Sequence, residues 1–267
     1  LRSIQSLVDE VIVLDTGSTD RTIEIARELG AIVFEEPWQD DFSLHRNHAI
    51  DKASGEWVLV IDADEELVET NVEETRHHLQ HAQLPPVLMI REHLQYPQGR
   101  KVTFLTPRIV RRASGIRYVY PIHEQLDVQG DDSMLSNLHL LHHGYADAAH
   151  QREKEERNLH LALSMPADDP HALHCRVRSF CALERFSEGK EAALQLLELN
   201  TSEVLTVEAC ALGAMAALFT DDAGALDTFM TTSQQLAPDE PDVLFVQVLK
   251  AMHRYRKSLS AGDSTKD

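Results

Sequence analysis

The sequence predicts an α/β domain followed by an all-α domain. Three observations carry that expectation. Short apolar runs rich in β-branched residues alternate with helical segments over residues 11–61, further strand-like pieces separated by turn residues follow Leu84-Pro85-Pro86, and strand signals vanish from about His150 onward. A chain of 267 residues suits one or two such cores, each large enough to fold without staples.

The elements follow in order. Residues 11–14 read as a buried strand that ends in the turn Asp15-Thr16-Gly17-Ser18. Asp20 is the expected N-cap of a helix over residues 22–29, which Gly30 stops. Residues 31–34 form a second strand and residues 42–53 a second helix, closed by Ser54-Gly55. A third strand over residues 57–61 runs into Asp62-Ala63-Asp64-Glu65-Glu66. Strand, helix, strand, helix, strand at this spacing is a βαβαβ unit, so a parallel sheet is expected, with Asp15 and the acidic cluster at the carboxyl ends of its strands, where ligands bind.

Residues 87–92, 102–110, 117–120 and 138–142 are shorter strands that complete an α+β half. Helices are then expected over residues 152–164, 171–184, 187–199, 203–219, 223–236 and 241–257, with a frayed polar end over residues 258–267. Ala182-Leu183 precedes Gly189 as Ala217-Leu218 precedes Gly224, and the related segments recur at 32–35 residues, the period of tetratricopeptide-type helix pairs. An unrelated helical cap is the alternative. The domains so predicted are residues 1–149 and 150–267.

Composition narrows the function. The 25 Lys and Arg against 44 Asp and Glu leave a formal charge of −19, which disfavours a nucleic-acid partner because phosphate neutralisation needs a basic footprint. The charge is uneven: residues 1–70 hold 17 acidic and 5 basic side chains, whereas Arg91, Arg100, Lys101, Arg108, Arg111, Arg112 and Arg117 face only Glu92 over residues 91–117. Three widely spaced cysteines, Cys175, Cys181 and Cys210, argue for a reducing compartment and for buried small apolar residues. No apolar run approaches the ~20 residues a bilayer requires, so a cytoplasmic location is expected, or a peripheral one at the inner membrane face. The chain opens on Leu1 with no signal peptide and enters a strand almost at once, as a fragment would.

Asp62-Ala63-Asp64 directly after an apolar strand gives two carboxylates that a hard divalent cation can share with diphosphate oxygens. A D-x-D alone is weak, since an acidic helix N-terminus explains it as well. Its context strengthens it: Asp15 ends the neighbouring strand, Gly17 lets the chain pass close to a ligand, and Arg46-Asn47 lie on a helix between the two.

Those motifs in register, Asp15-Thr16-Gly17-Ser18, Asp41-Phe42-Ser43 with Arg46-Asn47, and Asp62-Ala63-Asp64-Glu65-Glu66, resemble the family 2 glycosyltransferases of Rossmann-like GT-A fold. Arg108 with Arg111-Arg112, Ile122-His123-Glu124, and His142-His143-Gly144-Tyr145 resemble the branch of that family with tetratricopeptide-like repeats after the catalytic domain, as do Lys154 to Asn158. Members begin with a strand bearing a Lys-Asn-Glu-type segment, and this chain is expected to lack it.

The resemblance implies transfer of a sugar from a nucleotide-diphosphate donor, UDP-linked in the common case, to an acceptor hydroxyl or other nucleophile with inversion. Asp15 matches the residue that contacts the base, and Asp62 and Asp64 match the D-x-D pair that meets ribose and Mg²⁺ or Mn²⁺. His142 or His143 would complete the coordination, and the expected metal ligands are Asp62, Asp64 and His142. Glu124 matches the catalytic base that deprotonates the acceptor, with a salt bridge to Arg108, Arg111 or Arg112 as its alternative. Gly17, Arg46, Asn47 and Arg111 are expected to bind the donor, and Trp38 and Tyr120 to be core aromatics. The acceptor would be a glycan, a lipid-linked saccharide or a peptide, and the repeats would dock it or a protein partner. The rivals are a nucleotidyltransferase on a similar fold and a non-catalytic interaction protein with a degenerate transferase domain. A dinucleotide-dependent reductase is disfavoured, since no G-x-G-x-x-G follows a strand.

Overall fold

A computed structural model describes residues 1–68, 71–81, 83–95, 101–128, 133–143, 148–199 and 201–237. The chain divides into two compact units, Leu1–Ala148 and Ala149–Asp267. The first combines a parallel β-α-β pair with a five-stranded mixed sheet, and the second is helical.

In the first unit β1 (Ile12–Asp15) pairs in parallel with β2 (Ile32–Glu35), and α1 (Thr22–Glu28) crosses between them. After α2 (Phe42–Lys52), β3 (Trp57–Leu59) departs from the expected parallel sheet. It pairs antiparallel with β6 (Lys101–Arg111), at the edge of a five-stranded sheet ordered β3-β6-β5-β9-β4. An apolar run predicts a buried strand but not its neighbour, because the partner is chosen by which face of the assembled layer must be covered.

The remaining strands are β4 (Glu65–Val68), β5 (Val87–Gln95) and β9 (Ser133–His142), with the short hairpin β7 (Tyr118–Val119) and β8 (Gln125–Leu126) in its own two-stranded ladder. β5 and β6 run antiparallel and shift register between Leu88 and Met89, next to the point where Met89 faces Pro107. Proline has no N–H to donate, so the ladder breaks there at little cost. The pieces β4, β8 and α3 (Val72–His81) had no apolar run to reveal them. Glu65 and Glu66 open a strand rather than a helix.

Two apolar clusters hold this unit. Leu67, Leu88, Ile90, Ile109, Leu138 and Leu140 pack with Ile4 and Leu7 on one face of the sheet. Ile50, Val87, Val110, Tyr118 and Leu126 join α2 and the hairpin on another. Burial of each such side chain contributes roughly 1.5–3 kcal/mol.

The second unit runs α4 (Ala148–Ser164), α5 (Pro170–Ala182), α6 (Phe186–Leu197), α7 (Glu203–Phe219) and α8 (Ala223–Leu236). The sequence placed most of these ends within two residues, and the structure supplies the caps. Asp169 accepts from the N–H of Ala172 at 2.7 Å with Pro170 in the first turn, Ser202 accepts from Leu205, and Asp222 accepts from Ala225. The helix expected over residues 241–257 and the polar end lie outside the described residues. Buried Arg176 of α5 donates to the carbonyls of Ala162, Met165, Pro166 and Ala167, closing the C-terminal end of α4.

In the core of this unit the buried face of α7 is built of small residues. Ala209, Cys210, Ala211, Ala214, Ala216 and Ala217 of α7 are buried against Ala193 and Leu196 of α6 and Leu226 and Phe229 of α8. Burial pushes the thiols of Cys175 and Cys210 up to about 12 and that of Cys181 to about 11, so all three are inert apolar fillers rather than nucleophiles. Gly213 is held by close approach: a Cβ there would lie 2.6 Å from Phe229 Cζ and 2.8 Å from Ala193 Cβ. Gly224, the sequence counterpart of Gly189, has open space, with only Asp222 Oδ1 at 3.6 Å. Gly213→Ala is therefore expected to lower stability by about 1–3 kcal/mol through overpacking, and Gly224→Ala to change it by less than about 1 kcal/mol, in equilibrium urea denaturation.

Candidate active site

The loop from β3 to β4 carries Asp62 to the edge of the sheet and turns tightly at once. Asp62 N–H donates to Glu65 Oε2 at 2.7 Å, and Glu65 N–H donates to the Asp62 carbonyl at 3.1 Å. From the other side comes α2, whose N-cap Asp41 accepts from Leu44 N–H and from the Ser43 hydroxyl. This sets Arg46 facing Asp62. Its Nη1 lies 2.8 Å from Asp62 Oδ1 and its Nη2 donates to Oδ2 at 3.0 Å, a two-pronged pair. Its Nε donates to Glu124 Oε1 at 2.5 Å.

Glu124 reaches that position through the β7–β8 turn, where Tyr120 and His123 adopt φ of +73° and +48°. Side chains with a Cβ rarely occupy that region, so the turn is strained locally and is held from outside. Phe42 N–H donates to the Pro121 carbonyl, and Asn47 pairs both ends of its amide with the backbone N–H and carbonyl of Tyr118, each at 2.9 Å. The Arg46 guanidinium lies 5.5 Å above the Tyr118 ring.

Arg108 of β6 extends the cluster. Its Nη1 lies 3.4 Å from Asp62 Oδ2, and its Nη2 donates to Glu65 Oε1 at 2.5 Å and to Glu92 Oε2 at 3.2 Å. Burial opposes the charge on both guanidiniums, but the facing carboxylates, Asp62 first, outweigh it and hold them fully protonated. Burial likewise pushes the Asp62 carboxyl upward, yet Arg46 and Arg108 bring it down to about 2. Glu65, whose side chain is 0% exposed, is pushed above the ordinary carboxylate range by burial.

His142, at the end of β9, faces Glu65 across the antiparallel β4–β9 ladder. Its Nδ1 lies 2.8 Å from Glu92 Oε1 and its Nε2 3.1 Å from Asp64 Oδ2. Hydrogen bonds to Asp64 and then Glu92 raise its pKa to about 9, and the same imidazole lowers Asp64. The cluster thus sets five carboxylates against two guanidiniums and one imidazolium, leaving an excess of negative charge beside Asp64, whose side chain is 47% exposed.

These residues fit a divalent cation at Asp64 and His142. Glu92 holds Nδ1 of His142, the second-shell arrangement of many metal-binding histidines, so a cation that displaces the Nε2 proton shared with Asp64 would meet that nitrogen and an accessible Asp64 oxygen together. A second grouping, Glu65, Glu92 and His142, brings one atom of each within 4.8 Å, but it is buried and its carboxylates are already met by Arg108. Asp62, expected as a ligand, has both oxygens engaged by arginine, so in this arrangement it anchors the guanidiniums instead.

Other expected site residues fall elsewhere. Arg111 lies at the far end of the β3–β6 ladder, opposite Trp57, with its Nη1 2.5 Å from Glu56 and its guanidinium 4.3 Å over the indole. It is Arg108, three residues earlier, that enters the cluster. The partner of Glu124 is Arg46 and none of Arg108, Arg111 or Arg112. His143 is half exposed and turns to Glu66 at 3.2 Å, leaving the coordinating position to His142. Gly144 and Tyr145 lie outside the described residues. Asp15 is buried at the end of β1, where Oδ1 accepts from the N–H groups of Gly17 and Ser18 at 2.9 and 2.8 Å. Burial raises its carboxyl, but these bonds and the Ser18 hydroxyl bring it below the ordinary range. Gly17 serves a φ of +122°, and a Cβ there would meet nothing within 4 Å. Trp38 is half-buried with its Nε1–H on Asp40, whereas Tyr120 is 39% exposed rather than core. Glu65 and Arg108 stand in the motifs read from the sequence but were not assigned to this cluster, and Glu92 was hidden because in β5 it reads as an ordinary charged residue. A charged residue inside an otherwise apolar strand was the only signal.

Residues 1–100 match the family described as Glycosyl transferase family 2. A TPR repeat-containing protein of Synechococcus elongatus is 37% identical over 185 residues, which is 64% of this chain and 44% of that protein. The prophage-derived glycosyltransferase SunS of Bacillus subtilis is 27% identical over 184 residues, 64% of this chain and 42% of that protein. An uncharacterized glycosyltransferase of Rickettsia felis is 45% identical over 67 residues, 25% of this chain and 23% of that protein. This chain spans less than half the length of each of these relatives.

Arg46 is shared by two carboxylates that are themselves largely buried, so Arg46→Met is expected to lower stability by about 3–5 kcal/mol in urea denaturation. Arg111→Met, which loses an exposed pair and a ring contact, should cost less than about 2 kcal/mol.

Proposed function

We propose that this chain, whose residues 1–100 form a glycosyl transferase family 2 domain, is a metal-dependent inverting glycosyltransferase that uses a UDP-sugar. The observation that carries the metal-dependent reading is the Glu92–His142–Asp64 relay. Asp64 and His142 would hold Mn²⁺ or Mg²⁺, which when bound neutralises charge on a leaving diphosphate as a Lewis acid.

The chain's own residues divide the remaining tasks. Asp15 lies in a turn with one carboxylate oxygen already accepting two N–H bonds, and a carboxylate has capacity for a further donor such as the ring N–H of uracil. Glu124 takes the proton of the acceptor hydroxyl while its oxygen bonds to the anomeric carbon and the bond from that carbon to the diphosphate breaks. Arg46 fixes the Glu124 carboxylate through Nε and is itself fixed by Asp62, so base and acidic motif are positioned together. Asn47 acts one step further back, locking Tyr118 and with it the strained turn that presents Glu124.

Residues 1–149 carry the transfer in this reading, and residues 150–267 supply tetratricopeptide-like repeats that dock the acceptor or a protein partner. Stacked helix pairs expose surfaces suited to extended ligands such as a glycan, a lipid-linked saccharide or a peptide. No helix among the described residues is long and apolar enough to cross a membrane. The three free, buried cysteines support a reducing, cytoplasmic setting.

Calorimetry should detect Mn²⁺-dependent binding of UDP that Asp64→Ala and His142→Ala each abolish; binding that survives both changes would sink the cation assignment. Glu124→Gln should spare UDP affinity and lower turnover by at least ~10²-fold, and a change of only a few-fold would mean that another group is the base.

A further inference from the structure

Helix α2 carries a pair of residues that the proposed transfer does not use. His45 and His48 are three apart and so share a face of the helix, and Glu36, just after β2, meets them. His48 Nδ1 lies 2.7 Å from Glu36 Oε2. One ring nitrogen of each histidine and one oxygen of Glu36 lie within 4.8 Å of one another.

His45 supplies the independent observation. It is 6% exposed, and its ring is fixed by stacking on Trp38 at 5.1 Å and by an edge contact with His48. Its Nδ1 is buried without a hydrogen-bond partner among the described residues, and its Nε2 has a single long contact, with the Gln39 N–H at 3.3 Å. A buried imidazole left this poorly satisfied is unfavourable unless a ligand claims it.

We propose that Glu36, His45 and His48 form a binding site for a transition-metal ion of the Zn²⁺ class, sharing no residue with Asp64 and His142. Two imidazoles and one carboxylate with open positions suit Zn²⁺, Co²⁺ or Ni²⁺, whereas Mg²⁺ and Ca²⁺ prefer oxygen ligands throughout. Tetrahedral Zn²⁺ with ligands at 2.0–2.2 Å holds them about 3.4 Å apart, a separation between the 2.7 Å of the Glu36–His48 pair and the 4.8 Å within which all three ligand atoms lie. Glu36 and His48 keep side-chain exposures of 25% and 36%, which leaves an entry path and room for water as a further ligand. Bound metal would tie the segment after β2 to the helix that carries Arg46.

The test uses untagged protein with Zn²⁺ for calorimetry and Co²⁺ as a visible-absorption probe. The parent chain and His142→Ala should both bind Zn²⁺ at this site and show Co²⁺ d–d bands, and X-ray absorption of the Zn²⁺-loaded His142→Ala protein should report two imidazole ligands. His48→Ala and Glu36→Gln should each weaken that binding by at least ~10-fold. Zn²⁺ affinity and stoichiometry unchanged in both of these variants, or no Zn²⁺ binding by His142→Ala, would overturn the proposal. Circular dichroism checks folding, and if His48→Ala does not fold, the near-isosteric Glu36→Gln decides.

Discussion

The arrangement of the first unit depends on two buried guanidiniums. Arg46 and Arg108 arrive from a helix and from a strand and meet at Asp62, where each neutralises a carboxylate that the other also faces. Through them the β3–β4 loop, α2, the β7–β8 turn, β5 and β6 are bound into one charged knot. Such a cluster is not a large net source of stability, because desolvating the ions offsets most of their attraction. Its value is geometric. Each member is costly to leave unpaired, so backbone arrangements that separate them are excluded.

That knot gives the acidity of the chain a local meaning. A formal charge of −19 says little about a site until the carboxylates are divided between those that arginine already neutralises and those that remain accessible. Asp62, Glu65 and Glu92 belong to the first group, and Asp64 beside His142 belongs to the second. The consequence is that the two aspartates of one D-x-D motif, two residues apart, have different work. The tight turn at Ala63-Asp64, closed by the Glu65 N–H on the Asp62 carbonyl, turns one toward the guanidiniums and leaves the other toward solvent and the imidazole.

Helix α2 links these features. Its N-cap, Asp41, sets its start, Arg46 enters the charged knot, Asn47 locks the hairpin, and His45 and His48 meet Glu36. The second unit rests on different physics. Its helices are joined by short connections and capped by Asp169, Ser202 and Asp222, and they approach closely because alanine, cysteine and Gly213 occupy the contact faces. Close packing of these small faces around large side chains such as Leu173, Leu196, Leu226 and Phe229 holds that unit.

The sequence by itself determined the two-part organisation, the existence and approximate ends of the long helices, and the position of the polar motifs around Asp15, Asp62 and Glu124, since apolar periodicity, caps and ordered motifs are local properties of the chain. It did not determine that β3 joins a mixed sheet, that Glu65 begins a strand, that Arg46 rather than a β6 arginine holds Glu124, or that Arg108 rather than Arg111 enters the cluster. Each of those depends on contacts between residues 16 to 78 positions apart, where sequence spacing carries no information about distance. Tertiary structure alone decided them, because the partner of a buried charge is whichever opposite charge the packed layers bring within hydrogen-bond reach.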